Sequence, residues 1–273
     1  MAKTILITGT STGLGRATAK LFQREGWNVV ATMRNPANET ELAALDGVVV
    51  TRLDVEDASS ILPAINAGIN RFGEIDVLVN NAGFGAFGPL EATPIETIRR
   101  QFEVNVIGVL QTTQAILPHF RSRRAGTIIN ITSTSGRVTL PFGSLYHGSK
   151  FAVEGISEGL QYELAPLGIR VKLVEPGAIK TDFAGRSMAF SNEPALTEYQ
   201  PLIESAMKTY GQMMGESSPP ELIAEVVFTA ATDESDVLRY AAGEDAVQML
   251  ANRAVTSDEE YFASVRRQFG LAG

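Results

Sequence analysis

Tyr146 and Lys150 stand four residues apart in Tyr146-His147-Gly148-Ser149-Lys150, a spacing that puts both side chains on one face of a helix. A phenol titrates near ~10 in water and moves protons poorly at neutral pH unless a nearby cation favours the phenolate. Lys150, one turn along, supplies that cation. Such a pair is common by chance on exposed helices and carries little alone. Here it follows a strand-like run ending in Ser133, with Asn105 further upstream in a long helical pattern. A second chemistry lies near the start, where Thr8-Gly9-Thr10-Ser11-Thr12-Gly13-Leu14-Gly15 joins a strand-like run to a helical one. Glycines there permit a tight turn and let the backbone approach a diphosphate. The helix N-terminus adds unpaired N–H groups and a positive dipole end.

The elements that must position these groups are legible as alternation. Strand-like runs over 4–8, 28–33, 48–53, 75–80, 126–133, 170–175 and 237–241 are rich in Val and Ile. Most lack strict alternation, as strands buried on both faces of a parallel sheet do. Helical patterns occupy 13–25, 56–72, 94 to about 120, 145–167 and 218 to about 232. Thr93-Pro94-Ile95-Glu96 and Ser218-Pro219-Pro220-Glu221 each read as a capping box with proline at the first helical position. The pattern predicts an α/β fold: a doubly wound, mainly seven-stranded parallel sheet with helices on both faces, in a single domain over residues 1–273.

Ligands of such a sheet bind at the carboxyl ends of the strands. Those ends read Asp54-Val55, Asn80-Asn81-Ala82-Gly83, Thr132-Ser133-Thr134-Ser135-Gly136 and Pro176-Gly177. Residues 177–217 lack a strand pattern and carry Phe183, Met188, Phe190, Tyr199, Met207, Tyr210, Met213 and Met214. A long insertion after a strand reads as a substrate-binding lid over 183–217, with an apolar flap as the plainer reading. Residues 244–273 read as a C-terminal helical extension.

Together the Thr-Gly-x-x-x-Gly-x-Gly turn, Asn-Asn-Ala-Gly, Ser133, Tyr-x-x-x-Lys and Pro-Gly resemble, in order and spacing, the short-chain dehydrogenase/reductase family in its compact type. The resemblance runs over almost the whole chain and implies a Rossmann-type NAD(P)-binding fold. It implies a catalytic tetrad at Asn105, Ser133, Tyr146 and Lys150. The cofactor set it implies is Gly9, Ser11, Thr12, Gly13, Leu14, Gly15, Asp54, Val55, Asn81, Ala82, Gly83, Tyr146, Lys150, Pro176, Gly177, Ile179 and Thr181. Ser133 would hydrogen-bond the substrate oxygen and Tyr146 would give or take its proton. Lys150 would lower the tyrosine pKa and hold the nicotinamide ribose, and Asn105 would hold a helix kink and a relay water.

Members of this family that use NAD usually end the second strand with an aspartate that repels a 2′-phosphate. Here Met33 takes that place and Arg34 follows, a guanidinium fork suited to the phosphate. The expectation is NADP(H) rather than NAD(H). The tail lacks the Asp-Gly-Gly ending of many tetrameric members and resembles the steroid- and retinol-dehydrogenase-like branch. A homo-oligomer is expected, dimer or tetramer, with a dimer through the two long central helices.

Composition excludes several alternatives. The 273 residues carry a net charge of −8 and a pI near 5.0, which argues against a nucleic-acid binder. With no cysteine and two histidines there is no thiolate chemistry, and no metal centre is expected. No targeting signal or membrane span is read, so a cytoplasmic location is expected. Arg121, Arg123 and Arg124 read as a solvated turn, His119 as a cap or surface residue, and Trp27 as packing at the second strand. His147 is rotated about 100° from Tyr146 around the helix. The resulting expectation is an NADP-dependent carbonyl reductase or alcohol dehydrogenase for a largely apolar carbonyl or alcohol. Phe84, Phe87 and Phe142, expected near the crevice, and the apolar 183–214 segment point to that substrate. The alternatives are a 3-oxoacyl-thioester reductase and a catalytically silent NADP(H)-sensing scaffold.

Overall fold

Runs of Val, Ile and Leu too short for a helix become strands here, because a central parallel strand buries side chains on both of its faces. The computed structural model describes residues 2–215 and 217–271. Met1, Glu216 of the 183–217 segment, and the last two positions of the expected 244–273 extension lie outside the described residues. In chain order the first half runs β1 (Thr4–Ile7), α1 (Gly13–Arg24), β2 (Asn28–Met33), β3 (Val48–Arg52), α2 (Ile61–Phe72), β4 (Val77–Asn80), β5 (Gly85–Phe87) and α3 (Ile95–Phe102). A π-helical turn, Glu103–Ile107, joins α3 to α4 (Gly108–Arg123). Then come β6 (Gly126–Ile131), α5 (Ser144–Leu164), β7 (Ile169–Pro176), α6 (Phe183–Arg186), β8 (Met188–Phe190) and α7 (Gln200–Met214). The chain closes with α8 (Pro220–Thr232), β9 (Arg239–Ala242), α9 (Glu244–Val255) and α10 (Asp258–Gln268).

Seven strands form one parallel sheet in the order β3-β2-β1-β4-β6-β7-β9. The order reverses at β1 and β4, so the strand ends there open a crevice. Alternate residues feed two cores. Ile5, Ile7, Val29 and Val79 pack with Phe22 of α1 and Val227 of α8, while Leu6, Val30 and Leu78 pack with Ile65 of α2 and Phe120 of α4. Trp27 packs edge-on against Phe22 at 5.1 Å, as its place before β2 implies. This is the single-domain, doubly wound architecture that the alternation predicts.

Several local expectations are corrected. Neither capping box forms: Pro94 and Pro219 are themselves the caps, and no side chain caps either helix. Thr93 Oγ1 donates instead to Pro89 O at 2.9 Å, and Ser218 is held in a backbone bridge to Ile179. The segment 177–217, expected to lack strands, contributes β8, which pairs in parallel with β5 in a separate two-stranded sheet. His119 is no surface cap, because its Nε2 accepts from Ile75 N at 3.1 Å and the residue is half-buried. Arg123 is not simply solvated: it pairs with Asp76 at 2.8 Å and Glu74 at 2.9 Å.

Candidate active site

At the carboxyl end of β1 the chain turns with little room to spare. Gly9 and Gly13 have φ of +73° and +56°, values that favour glycine. Asn81, just past β4, donates from Nδ2 to Thr8 O at 2.8 Å and to Gly9 O at 3.1 Å. Its own N–H and that of Ala82 reach Thr8 Oγ1 at 2.9 and 3.0 Å. Asn81 therefore clamps the glycine turn. At the start of α1 the Thr12 side chain makes no capping hydrogen bond, which leaves the first helical N–H groups available to an anion. This bare, glycine-lined helix start fits a diphosphate.

Across the crevice, Ser133 follows β6. Its Oγ accepts from Ser135 N at 3.1 Å and donates weakly to Pro176 O at 3.3 Å. Tyr146, half-buried on α5, stacks at a tilt on Phe87 with ring centroids 5.2 Å apart and faces Phe183 at 6.3 Å. Burial pushes its phenol up to about 12, and the adjacent Ser133 hydroxyl only partly offsets this. Lys150 is buried, which pulls its ammonium down to about 8, with Glu154 acting the other way. Its Nζ donates to Ile131 O at 2.9 Å and lies 5.7 Å from the Tyr146 ring centroid. Among the described residues no hydrogen bond joins the Lys150 ammonium to the Tyr146 phenol. The four-residue spacing holds, but a backbone carbonyl takes the ammonium.

Asn105 sits in the π-helical turn, a feature that often marks a functional position. Its Oδ1 accepts from Phe84 N, and its Nδ2 donates to Phe84 O, both at 2.8 Å, with a further bond to Ser149 Oγ at 3.0 Å. Gln101, one turn earlier, donates from Nε2 to the same Phe84 O and Ser149 Oγ at 2.9 and 3.0 Å. The two amides tie the strand after Gly83 to the helix carrying Tyr146 and Lys150. Sequence reasoning missed Gln101 and Ser149. Their positions, four before Asn105 and one before Lys150, were the available signal.

One cavity of about 880 Å³ collects Gly9, Ser11, Thr12, Gly13, Leu14, Gly15, Arg34, Asp54, Val55, Asn81, Ala82, Gly83, Ser133, Tyr146, Lys150, Pro176, Gly177, Ile179 and Thr181. Asn105 stands behind the wall rather than on it. The same cavity is lined by Phe142, Phe183, Phe190, Met207 and Tyr210, and by Met249 and Val265 of the C-terminal helices. His147 is buried and its Nε2 accepts from Leu140 N at 3.0 Å, so the ring is committed to the loop before α5. Among the described residues no helix is long and apolar enough to cross a membrane.

The short chain dehydrogenase family profile matches residues 3–191. Over 239 residues the chain is 43% identical to an uncharacterised oxidoreductase of Schizosaccharomyces pombe, covering 88% of this chain and all of that one. It is 34% identical to 17-beta-hydroxysteroid dehydrogenase type 1 of Mus musculus, covering 86% of this chain and 72% of that one. A short-chain dehydrogenase from Streptomyces avermitilis superposes with a TM-score of 0.81 at 35% identity, covering 98% and 95% of the two chains. A relative from Burkholderia cenocepacia solved with NADP gives 0.75 at 25% identity, with 98% and 97% covered. One from Burkholderia phymatum solved with NAD gives 0.78 at 25% identity, with 93% and 92% covered.

Proposed function

The chain belongs to the short-chain dehydrogenase family of oxidoreductases, and from that premise we propose that it is an NADP(H)-dependent carbonyl reductase or alcohol dehydrogenase acting on a largely apolar substrate. The observation that carries the proposal is convergence: the Tyr146 phenol, the Ser133 hydroxyl and the Lys150 ammonium meet the glycine turn in one cavity. When bound, the nicotinamide supplies or accepts the hydride; the protein supplies orientation and proton transfer. Ser133 holds the substrate oxygen, and Tyr146 gives that oxygen its proton in reduction or removes one in oxidation. Asn105 and Gln101 fix the wall on which these groups stand. The aromatic and methionine lining beyond Tyr146 supports an apolar substrate, and we read 183–217 as the lid over it.

The test follows nicotinamide absorbance with NADPH and, separately, NADH over aliphatic, aromatic, steroid and thioester carbonyls. Turnover with NADPH on an apolar carbonyl is the expected result. Tight NADPH binding with silence across the whole panel would overturn the apolar-carbonyl reading in favour of an unusual substrate or a sensing scaffold.

The NADP(H) preference rests on Arg34, exposed at the end of β2 and on the cavity wall beside Met33. A guanidinium bonded to a phosphate contributes about 1.5–3 kcal/mol, roughly 10–100-fold in affinity. Arg34→Asp is expected to remove that preference and to favour NADH. An unchanged ratio of kcat/KM values for the two nucleotides would sink the assignment.

We extend the proposal to a homo-oligomer built on the helices from α3 to α5. Phe102, Ile107, Leu110 and Phe151 remain 36–43% exposed there, and Tyr162 is 82% exposed, an apolar face of the kind partners cover. Sedimentation velocity at micromolar concentration is expected to give a dimer or larger species; a monomer would overturn this part.

A further inference from the structure

Along α5 the side chains at 146, 150, 154 and 158 follow one another at single-turn intervals, so the face that carries Tyr146 and Lys150 continues into Glu154 and Glu158. Glu154 is 5% exposed and lies beneath the turn after Ser133, where a Cβ on Gly136 would come within 2.8 Å of its Cγ. Glu175, one residue before the end of β7, is 1% exposed. Two guanidiniums face this buried pair. Arg239 of β9 forks between Glu154 Oε2 at 2.9 Å and Glu158 Oε1 at 2.6 Å. Its Nε approaches Glu175 Oε1 only to 3.5 Å, and Arg137 reaches the same oxygen only to 3.8 Å. Glu154 Oε1 and Glu175 Oε1 are buried with no hydrogen-bond partner among the described residues.

Unpartnered carboxylate oxygens are costly to bury as charges. Three carboxylates here face two guanidiniums, so with all three ionised one negative charge is left over, which either a proton on the pair or the ammonium of Lys150, one turn before Glu154 on α5, can balance. We propose that Glu154 and Glu175 form a carboxyl pair that binds one proton between them and keeps Lys150 in its charged form, as positioning residues that never touch the substrate. The proposal rests on the reading of Tyr146 and Lys150 as catalytic. The titration directions agree with it. Burial first, then the charge of Glu154, pushes Glu175 up to about 7, while Arg137 and Arg239 pull it down. Burial also pushes Glu154 up, opposed by Thr132, Arg239 and Arg137. As pH rises through about 7 the pair loses its shared proton to solvent and gains negative charge. That gain comes just below the range around 8 where Lys150 would lose its own proton. The ammonium then persists to higher pH than burial alone would allow.

The experiment is an NMR titration of the full chain without nucleotide, with 13C-labelled lysine and Lys150→Met to assign the resonance. Glu154→Gln is expected to lower the Lys150 midpoint by on the order of one pH unit, and Glu175→Gln to lower it by less. Glu154→Asp, which keeps the charge, is expected to restore most of the wild-type midpoint. A Lys150 midpoint unchanged in Glu154→Gln overturns the proposal, and so does a fall in Glu154→Asp equal to that in Glu154→Gln, which would assign the effect to packing. If Glu175→Gln does not fold, the two Glu154 variants still decide the question. The alkaline limb of the kcat/KM profile should move to lower pH in Glu154→Gln. Because the NMR readout needs no turnover, activity surviving in Tyr146→Phe would defeat the catalytic reading while leaving this measurement interpretable.

Discussion

Replacing Tyr146 by Phe is expected to lower kcat/KM by about 10²–10⁴-fold while leaving NADPH affinity close to wild type. The substitution removes one hydroxyl and keeps the ring. The tilted stack on Phe87 and the contact with Phe183 therefore survive, and so does the Lys150 bond to Ile131 O. What disappears is the proton donor beside Ser133. Phenylalanine also removes a half-buried hydroxyl, so the folded state should lose little, and a thermal melt within a few degrees of wild type is the control. The direction of pH dependence follows from the phenol being pushed up to about 12 by burial. Through the neutral range Tyr146 holds its proton, the form that reduction requires. Oxidation requires the phenolate, whose fraction rises tenfold with each pH unit below that value, so the alcohol-oxidising rate is expected to climb through the alkaline range. Near-wild-type turnover in Tyr146→Phe would mean that another group moves the proton.

How far the molecule could be read from its residues depends on what each signal specifies. Apolar runs too short for a helix, most of them rich in Val and Ile, specify strands buried on both faces, so the seven-stranded sheet was legible from one end of the chain to the other. The strands β5 and β8, three residues each, carry no period long enough to see, and they exist only because the chain after β4 passes beside the chain after β7. The capping boxes failed for a local reason: with proline next in sequence, Thr93 and Ser218 were each drawn to a different backbone partner. At the site, spacing located Tyr146 and Lys150 on one helical face, but it fixes Cβ positions only. The end of a lysine side chain is free to choose, and here it chose Ile131 O. The amide clamp of Asn105 and Gln101 was harder still to foresee, since it depends on the π-helical turn that brings both to Phe84.

The second large effect is expected where the fold meets the nucleotide. Gly15 lies in the first turn of α1, where a Cβ would stand 2.2 Å from Gly9 O and 2.6 Å from Asn81 Nδ2. Neither obstacle is the free end of a flexible side chain. Gly9 O is backbone in a turn held by Asn81, and Asn81 Nδ2 is itself the group that holds it. Gly15→Ala must therefore either push α1 away from β1 or break the Asn81 clamp, and both routes spoil the helix start proposed to take the diphosphate. Overpacking of this kind costs about 1–3 kcal/mol, and collisions with backbone belong at the upper end. The expected outcome is NADPH binding weaker by roughly 100-fold in a calorimetric titration, with a lower Tm. Gly211→Ala is the matched control. It lies in the last turn of α7, where an added Cβ meets nothing within 4 Å, and replacing glycine there should stabilise the helix by no more than about 1 kcal/mol without touching nucleotide affinity. If Gly15→Ala bound NADPH as tightly as Gly211→Ala, close packing of α1 on the glycine turn would not be what prepares this site.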